Sequence, residues 1–171
     1  MNALTSFSSD DTFAAFLPAA LRDRAANMSW TTFTDTFCRT SGPIRLGNWT
    51  TSRARGGRTT FEATFGIAAN HTASNHTASN HTAGEPAYIR SATATSFGPI
   101  DALTSMLYDA GFHIEITSFH QQTMGTGDTA ETATFVLCEY DGRHEWSMAI
   151  GHDSAESSIR AIIGAANMLH A

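Results

Sequence analysis

A chain of 171 residues that is 42% hydrophobic suits one domain with a core of ordinary size and excludes a disordered polymer. Its ten basic residues are all arginines, scattered apart from Arg53, Arg55 and Arg58, and with a net charge of -6 they argue against nucleic-acid binding. Only 15% of residues are charged, which favours a buried face and hence an oligomer. No apolar run is long enough to span a membrane, no signal-peptide pattern opens the chain, and Cys38 and Cys138 show no metal-like spacing, so a cytoplasmic protein with reduced thiols is expected.

Residues 10–38 read as short helical pieces. Asp10, Asp11 and Thr12 suit a first cap, followed by Phe13, Phe16 and Leu17. Pro18 is predicted to open a second piece at a favoured first-turn position. Ser29 suits the cap of a third, with Trp30, Phe33 and Phe37 at helical spacing. These aromatics are expected to pack on a core.

From Gly42 the period changes to two. PIRLGNWTTSR reads as a strand, ARGG as a turn, and RTTFEATFGI as a half-buried strand with Phe61, Ala63, Phe65 and Ile67 on one face. Next comes NHTASNHTASNHTAG, residues 70–84, one pentapeptide written almost three times. Its evenly spaced histidines invite a metal site and its Asn-His-Thr triplets invite glycosylation. A sequon matters only in a secretory lumen, and metal ligands need fixed, supported positions. The favoured reading is a disordered, length-variable insertion between two strands, which loop-closure entropy tolerates cheaply.

EPAYIRSATATS is the next predicted strand. GPIDALTSMLYDAGF is a predicted helix, with Pro99 at its start, Asp101 in its first turn and Gly111 closing it. The order then recurs. HIEITSFHQQT is a strand, MGTGDTAE a Gly-rich turn and TATFVLCEY a strand, then DGRH turns into EWSMAI. DSAESSIRAIIGAANMLHA is a final helix with Asp153 and Glu156 spaced as a capping box.

The chain is therefore expected to be α+β. Residues 1–41 form a helical lead-in, followed by two βββα units at 42–112 and 113–171, with antiparallel strands, helices on one face and a low-complexity loop at 68–85. Several features also have plain readings. GPIDAL on spacing alone reads as a helix start, MGTGDTAE as a flexible hairpin loop, and His120, Gln121 and Gln122 as polar strand surface. Asp153 and Glu156 read as helix caps, and Asp128 has no identifiable partner base for catalysis.

Three runs carry a resemblance: GPIDAL at 98–103, DAGFHIEITSFHQQTMGTGDTAETATFV at 109–136 and EWSMAIGHDSAESSIRAIIGAANML at 145–169. Together with Trp146, Ser158, Ala161 and Asn167, they resemble the C-terminal regulatory, or dimerisation, domain of alpha-isopropylmalate synthase. The match is specific over 98–170, looser over 43–97 and absent from 1–40. It implies two βββα units about a pseudo-two-fold axis, homodimerisation, and feedback binding of leucine or a similar apolar amino acid between the units.

The family's contacts carry over to Gly98, Ile100, Asp101, Ile116, Phe119, Thr123 and Ala130, with the free N–H groups at the two helix starts as carboxylate donors. Phe119 departs from the family's common Tyr, Thr123 from its frequent Ala, and Ser96-Phe97-Gly98 from its Gly-x-Gly. The synthase's own chemistry needs a TIM barrel of about 250 residues, and its metal-binding His-x-His is absent here. The expectation is a free-standing, non-catalytic regulatory domain without cofactor or metal. It would partner itself or a separate synthase subunit, and neither nucleic acid nor membrane. A pure interaction module, and an enzyme using the repeat histidines, are the competing readings.

Overall fold

Pro18 and Ser29 punctuate the first two helices, α1 (Ala19–Ala25) and α2 (Trp30–Phe37). Pro18 stands one place earlier than predicted. It is the N-cap, and its carbonyl accepts from the N–H groups of Leu21 and Arg22. Ser29 caps α2 as expected, its hydroxyl accepting from Thr32 N at 3.1 Å. The structure, a computed structural model, describes residues 17–68 and 88–171. The helix start at Asp10–Thr12 and the Asn-His-Thr-Ala-Ser repeat, with the readings made of them, lie outside the described residues.

The rest is α+β and duplicated. Strands β1 (Ile44–Arg53), β2 (Thr59–Ile67) and β3 (Tyr88–Ser96) form one antiparallel sheet in sequential order, followed by α3 (Pro99–Asp109). Strands β4 (Glu115–Met124), β5 (Glu131–Tyr140) and β6 (Arg143–Gly151) form a second, followed by α4 (Ser154–Leu169). The β5–β6 turn is tighter than the DGRH expected. Asp141 and Gly142 both have positive φ, so a two-residue hairpin suffices and Tyr140 already pairs with Arg143.

Register follows the apolar pattern. Phe61, Ala63, Phe65 and Ile67 of β2 face one core, while Thr60 and Glu62 pair outward with Thr95 and Thr93. In β1 the pairing skips between Leu46 and Trp49. Asn48 N donates to the Thr64 hydroxyl at 2.8 Å there, and a side chain on Gly47 would meet that hydroxyl at 2.6 Å. β4 has a matching irregularity between Ile116 and Ser118.

The two units share one core. Residues of β1, β2 and α3 meet Val136, Cys138 and the apolar side of α4. Helix α4 is buried along nearly its whole length, beyond the single face expected, because β1, β5, β6 and α3 all pack on it. The hydroxyls of Ser157 and Thr134 meet at 2.7 Å beneath it. A side chain on Gly164 would lie 2.5 Å from Ser147 Oγ and 3.2 Å from the Arg39 carbonyl, so glycine lets the chain leaving α2 cross the helix. Asn167 is fully buried, and its Oδ1 accepts from Ile44 N at 2.9 Å. It ties the last helix of the second unit to the first strand of the first.

A second core lies on the other face of the second sheet. Ala133, Phe135, Trp146 and Met148 pack there against Leu21, Ala25, Phe33 and Phe37 of α1 and α2. The aromatic lead-in therefore does pack, as its spacing indicates, and the face it covers is that of the second sheet.

Candidate functional site

The start of α3 carries no side-chain cap, and Gly98 is its N-cap in extended backbone, φ -156°. Pro99 has no N–H to offer, and the first intrahelical bond runs from Ala102 N to Gly98 O. The N–H groups of Ile100 and Asp101 thus have neither an intrahelical acceptor nor a cap, at the positive end of the helix dipole. Ser96 donates its hydroxyl to Gly98 O at 2.6 Å, which fixes the turn without filling that end. A side chain at Gly98 would meet nothing within 4 Å.

The start of α4 differs. Asp153 Oδ1 accepts from Glu156 N at 2.8 Å, and Glu156 Oε2 accepts from His152 N at 2.8 Å. Asp153 caps the helix as read in the sequence, while Glu156 reaches back one residue beyond the reciprocal position of a capping box, to His152 N. Asp153 thus gives the α4 start a carboxylate cap on Glu156 N, which the α3 start lacks.

The seven sequence-derived residues fall into two groups. Gly98, Ile100 and Asp101 sit at the α3 start, Ile100 half-buried against the shared core and Asp101 exposed. Ile116, Phe119 and Thr123 lie on β4 opposite Cys138, Val136 and Thr132, so all three share the face of the sheet that α4 covers. Ile116 is half-buried against the same core, Phe119 is 37% exposed and Thr123 exposed. Ala130 ends the short helical turn Gly127–Thr129, its N–H bonded to Gly127 O. Helix α3 packs chiefly on β3 and α4, not along β4, so within one chain the two groups adjoin only through the core they border.

Between Phe119 and Thr123 on that face lies Gln121, which the sequence suggested as plain surface. It is exposed, as read, and its Nε2 also reaches Thr134 Oγ1, Ser154 O and Ser158 Oγ, all at 2.9–3.0 Å, which ties β4 to the first turn of α4. The available signal was the run of serines opening α4, whose hydroxyls need partners where the helix meets a sheet. On the opposite face His120 stacks on Trp146, centroids 6.4 Å apart, and its Nε2 contacts Ser118 Oγ.

Large apolar side chains are exposed beside both groups, Phe97 at 74% and Phe119 at 37%. Burial pushes the thiols of Cys38 and Cys138 up to about 11 and about 12, so neither supplies a thiolate near neutrality. Among the described residues no three His, Cys, Asp or Glu side chains group to hold a metal. None of the described helices is long and apolar enough to cross a membrane. A cavity of about 980 Å³ lies elsewhere, between the lead-in, the first strand of the first unit and the second unit, and none of the seven residues lines it.

The sequence profile of a family described as the LeuA allosteric (dimerisation) domain matches residues 30–170. It takes in α2 as well as both βββα units. Similar curated proteins include the 2-isopropylmalate synthase of Corynebacterium glutamicum (strain R), 34% identical over 70 residues, or 41% of this chain and 11% of that enzyme. The 2-isopropylmalate synthases of Leifsonia xyli subsp. xyli and Thermobifida fusca are each 30% identical over 79 residues. Those alignments cover 46% of this chain and 13% and 14% of the two enzymes. The chain thus spans only about a tenth to a seventh of the relatives it matches.

Proposed function

The chain belongs to the LeuA allosteric (dimerisation) domain family, and from that premise we propose that it is a non-catalytic regulatory domain, homodimeric and cytoplasmic. It binds leucine or a similar branched-chain amino acid in feedback control of leucine biosynthesis. The observation that carries this reading is the uncapped start of α3 within the matched segment. Two backbone N–H groups at the positive end of a helix suit a carboxylate, and Asp101 beside them suits an ammonium group. Ile100, Ile116 and Ala130 would form the apolar slot, with Phe119 and Thr123 at its edge. The synthase chemistry under control would reside in a catalytic domain that these 171 residues do not carry, on a separate subunit or otherwise.

A second copy would complete the site. The two groups of residues lie open within one chain, beside Phe97 and Phe119, and a dimer contact over them would bury both rings and enclose the ligand. Phe119 and Thr123 favour one competing reading, a dimerisation module that has lost its effector, since a phenyl ring cannot donate the hydrogen bond of a tyrosine.

Thermal-shift measurements across leucine, isoleucine and valine, with light scattering for mass, test the proposal. A dimer stabilised by at least one of the three, and not by their amides, is expected. A monomer that none of them stabilises at millimolar concentration would refute it, and a dimer that none stabilises would favour the interaction module.

A further inference from the structure

The 980 Å³ cavity is lined from three directions: by the lead-in, by the first strand of the first unit, and by β4, β5, β6 and α4 of the second. Its apolar wall among the described residues comprises Trp30, Leu46, Met124, Met148, Ile150 and Ile163. Its charged groups are Arg39, Arg45, Arg160 and Glu131. The whole chain has ten basic residues, so three guanidinium groups around one hollow is a marked concentration. Arg160 is already engaged: its Nη2 lies 2.5 Å from Glu156 Oε1, and its Nη1 donates to Ile150 O. Arg39 and Arg45 are exposed and share the described lining with one carboxylate, that of Glu131, leaving one positive charge in excess.

We propose that this cavity binds a monocarboxylate carrying a flexible apolar chain, separately from the effector site on α3 and β4. The excess charge matches one carboxylate, which a guanidinium group can hold through two parallel hydrogen bonds. The space stands at the upper end of small-molecule pockets, well beyond the needs of a leucine side chain. Two methionines in the wall are unbranched and adaptable, which suits an alkyl chain that takes several conformations. A dipolar amino acid fits less well, because its ammonium group would enter beside the guanidinium excess. Since the cavity joins the lead-in to both units, a ligand there holds all three together.

Octanoate titrated into the full chain, followed by calorimetry and by thermal unfolding, tests this. One saturable site and a raised unfolding midpoint are expected. Arg39→Gln and Arg45→Gln should each weaken octanoate about tenfold, and octanol, with the same chain and no charge, should bind at least about tenfold more weakly. Both arginines are exposed, so circular dichroism of the variants should match the parent protein. Gly98→Ser, placed in the proposed effector site, should leave octanoate affinity unchanged, which separates the two sites. Absence of saturable octanoate binding at millimolar concentration, equal binding of octanol, or parental affinity in both arginine variants would overturn the proposal.

Discussion

The two βββα units share a topology and differ in what their sheets face. In the first sheet the pairs Thr60–Thr95, Glu62–Thr93 and Thr64–Ser91 look away from the core, and the hydroxyls of Thr60 and Thr95 meet at 3.0 Å. The equivalent face of the second sheet carries Ala133, Phe135, Trp146 and Met148 beneath α1 and α2. Strand β2 accordingly alternates between buried and more open positions, while β5 is buried at four consecutive positions, Ala133 to Val136. Their helices diverge too, α3 starting open and α4 starting capped. Duplication has kept the backbone path and let burial and electrostatics specialise, one unit for packing and one for exposure.

The largest test of that contrast is Phe135→Ala, in a ring 2% exposed between β5 and the lead-in. It should cost about 3–5 kcal/mol by urea unfolding, whereas Glu62→Ala on the outer face of the first sheet should change stability by less than about 0.5 kcal/mol. Comparable losses at the two positions would mean that the faces are not differently buried.

Alkaline pH acts on the same sheet, since Cys138 lies in the shared core and Cys38 packs against the lead-in core. Burial raises their thiol pKa values from 9.0 to about 12 and about 11. A raised native pKa means that the unfolded chain releases these protons first. The stability they contribute is therefore intact below pH 9 and falls as pH climbs towards 11 and 12. Replacing both cysteines with alanine should flatten that alkaline fall, as read from the urea midpoint against pH.

Asn167→Ala tests the tie between the units. It strands the buried N–H of Ile44 and should cost about 1–3 kcal/mol, with hydrogen exchange at Ile44 accelerating. Asp153→Ala removes the α4 cap and should cost about 1 kcal/mol. At the smallest end, Gly98→Ser gives α3 the cap it lacks and should add a few tenths of a kcal/mol. The same hydroxyl would compete for the donors proposed to bind the effector, so affinity should fall while stability rises.

Much of this architecture was legible because it is written in period. The strict alternation FEATFGI marked a one-sided strand, and the Pro-Ile-Asp and Asp-Ser-Ala-Glu openings marked the two later helices. The resemblance carried by residues 98–170 agrees with the wider family match. What the sequence withheld were contacts made at a distance. Phe33 and Phe37 announce a buried face without saying which sheet they cover. Gln121 is surface, yet nothing in its strand says that it bonds Ser154 and Ser158, and Gly164 is an ordinary helical glycine until the chain leaving α2 crosses it. The site residues were nameable one at a time. Their division between α3 and β4 follows from how the two units pack, which no local pattern encodes.

Titration calorimetry of leucine, isoleucine and valine into the parent protein and into Gly98→Ser bears most directly on the regulatory reading. Saturable heat with at least one of the three in the parent, sharply weakened in Gly98→Ser although that variant melts no lower, is the expected result. No heat with any of the three in a folded, dimeric protein, or equal affinity in both proteins, would contradict it.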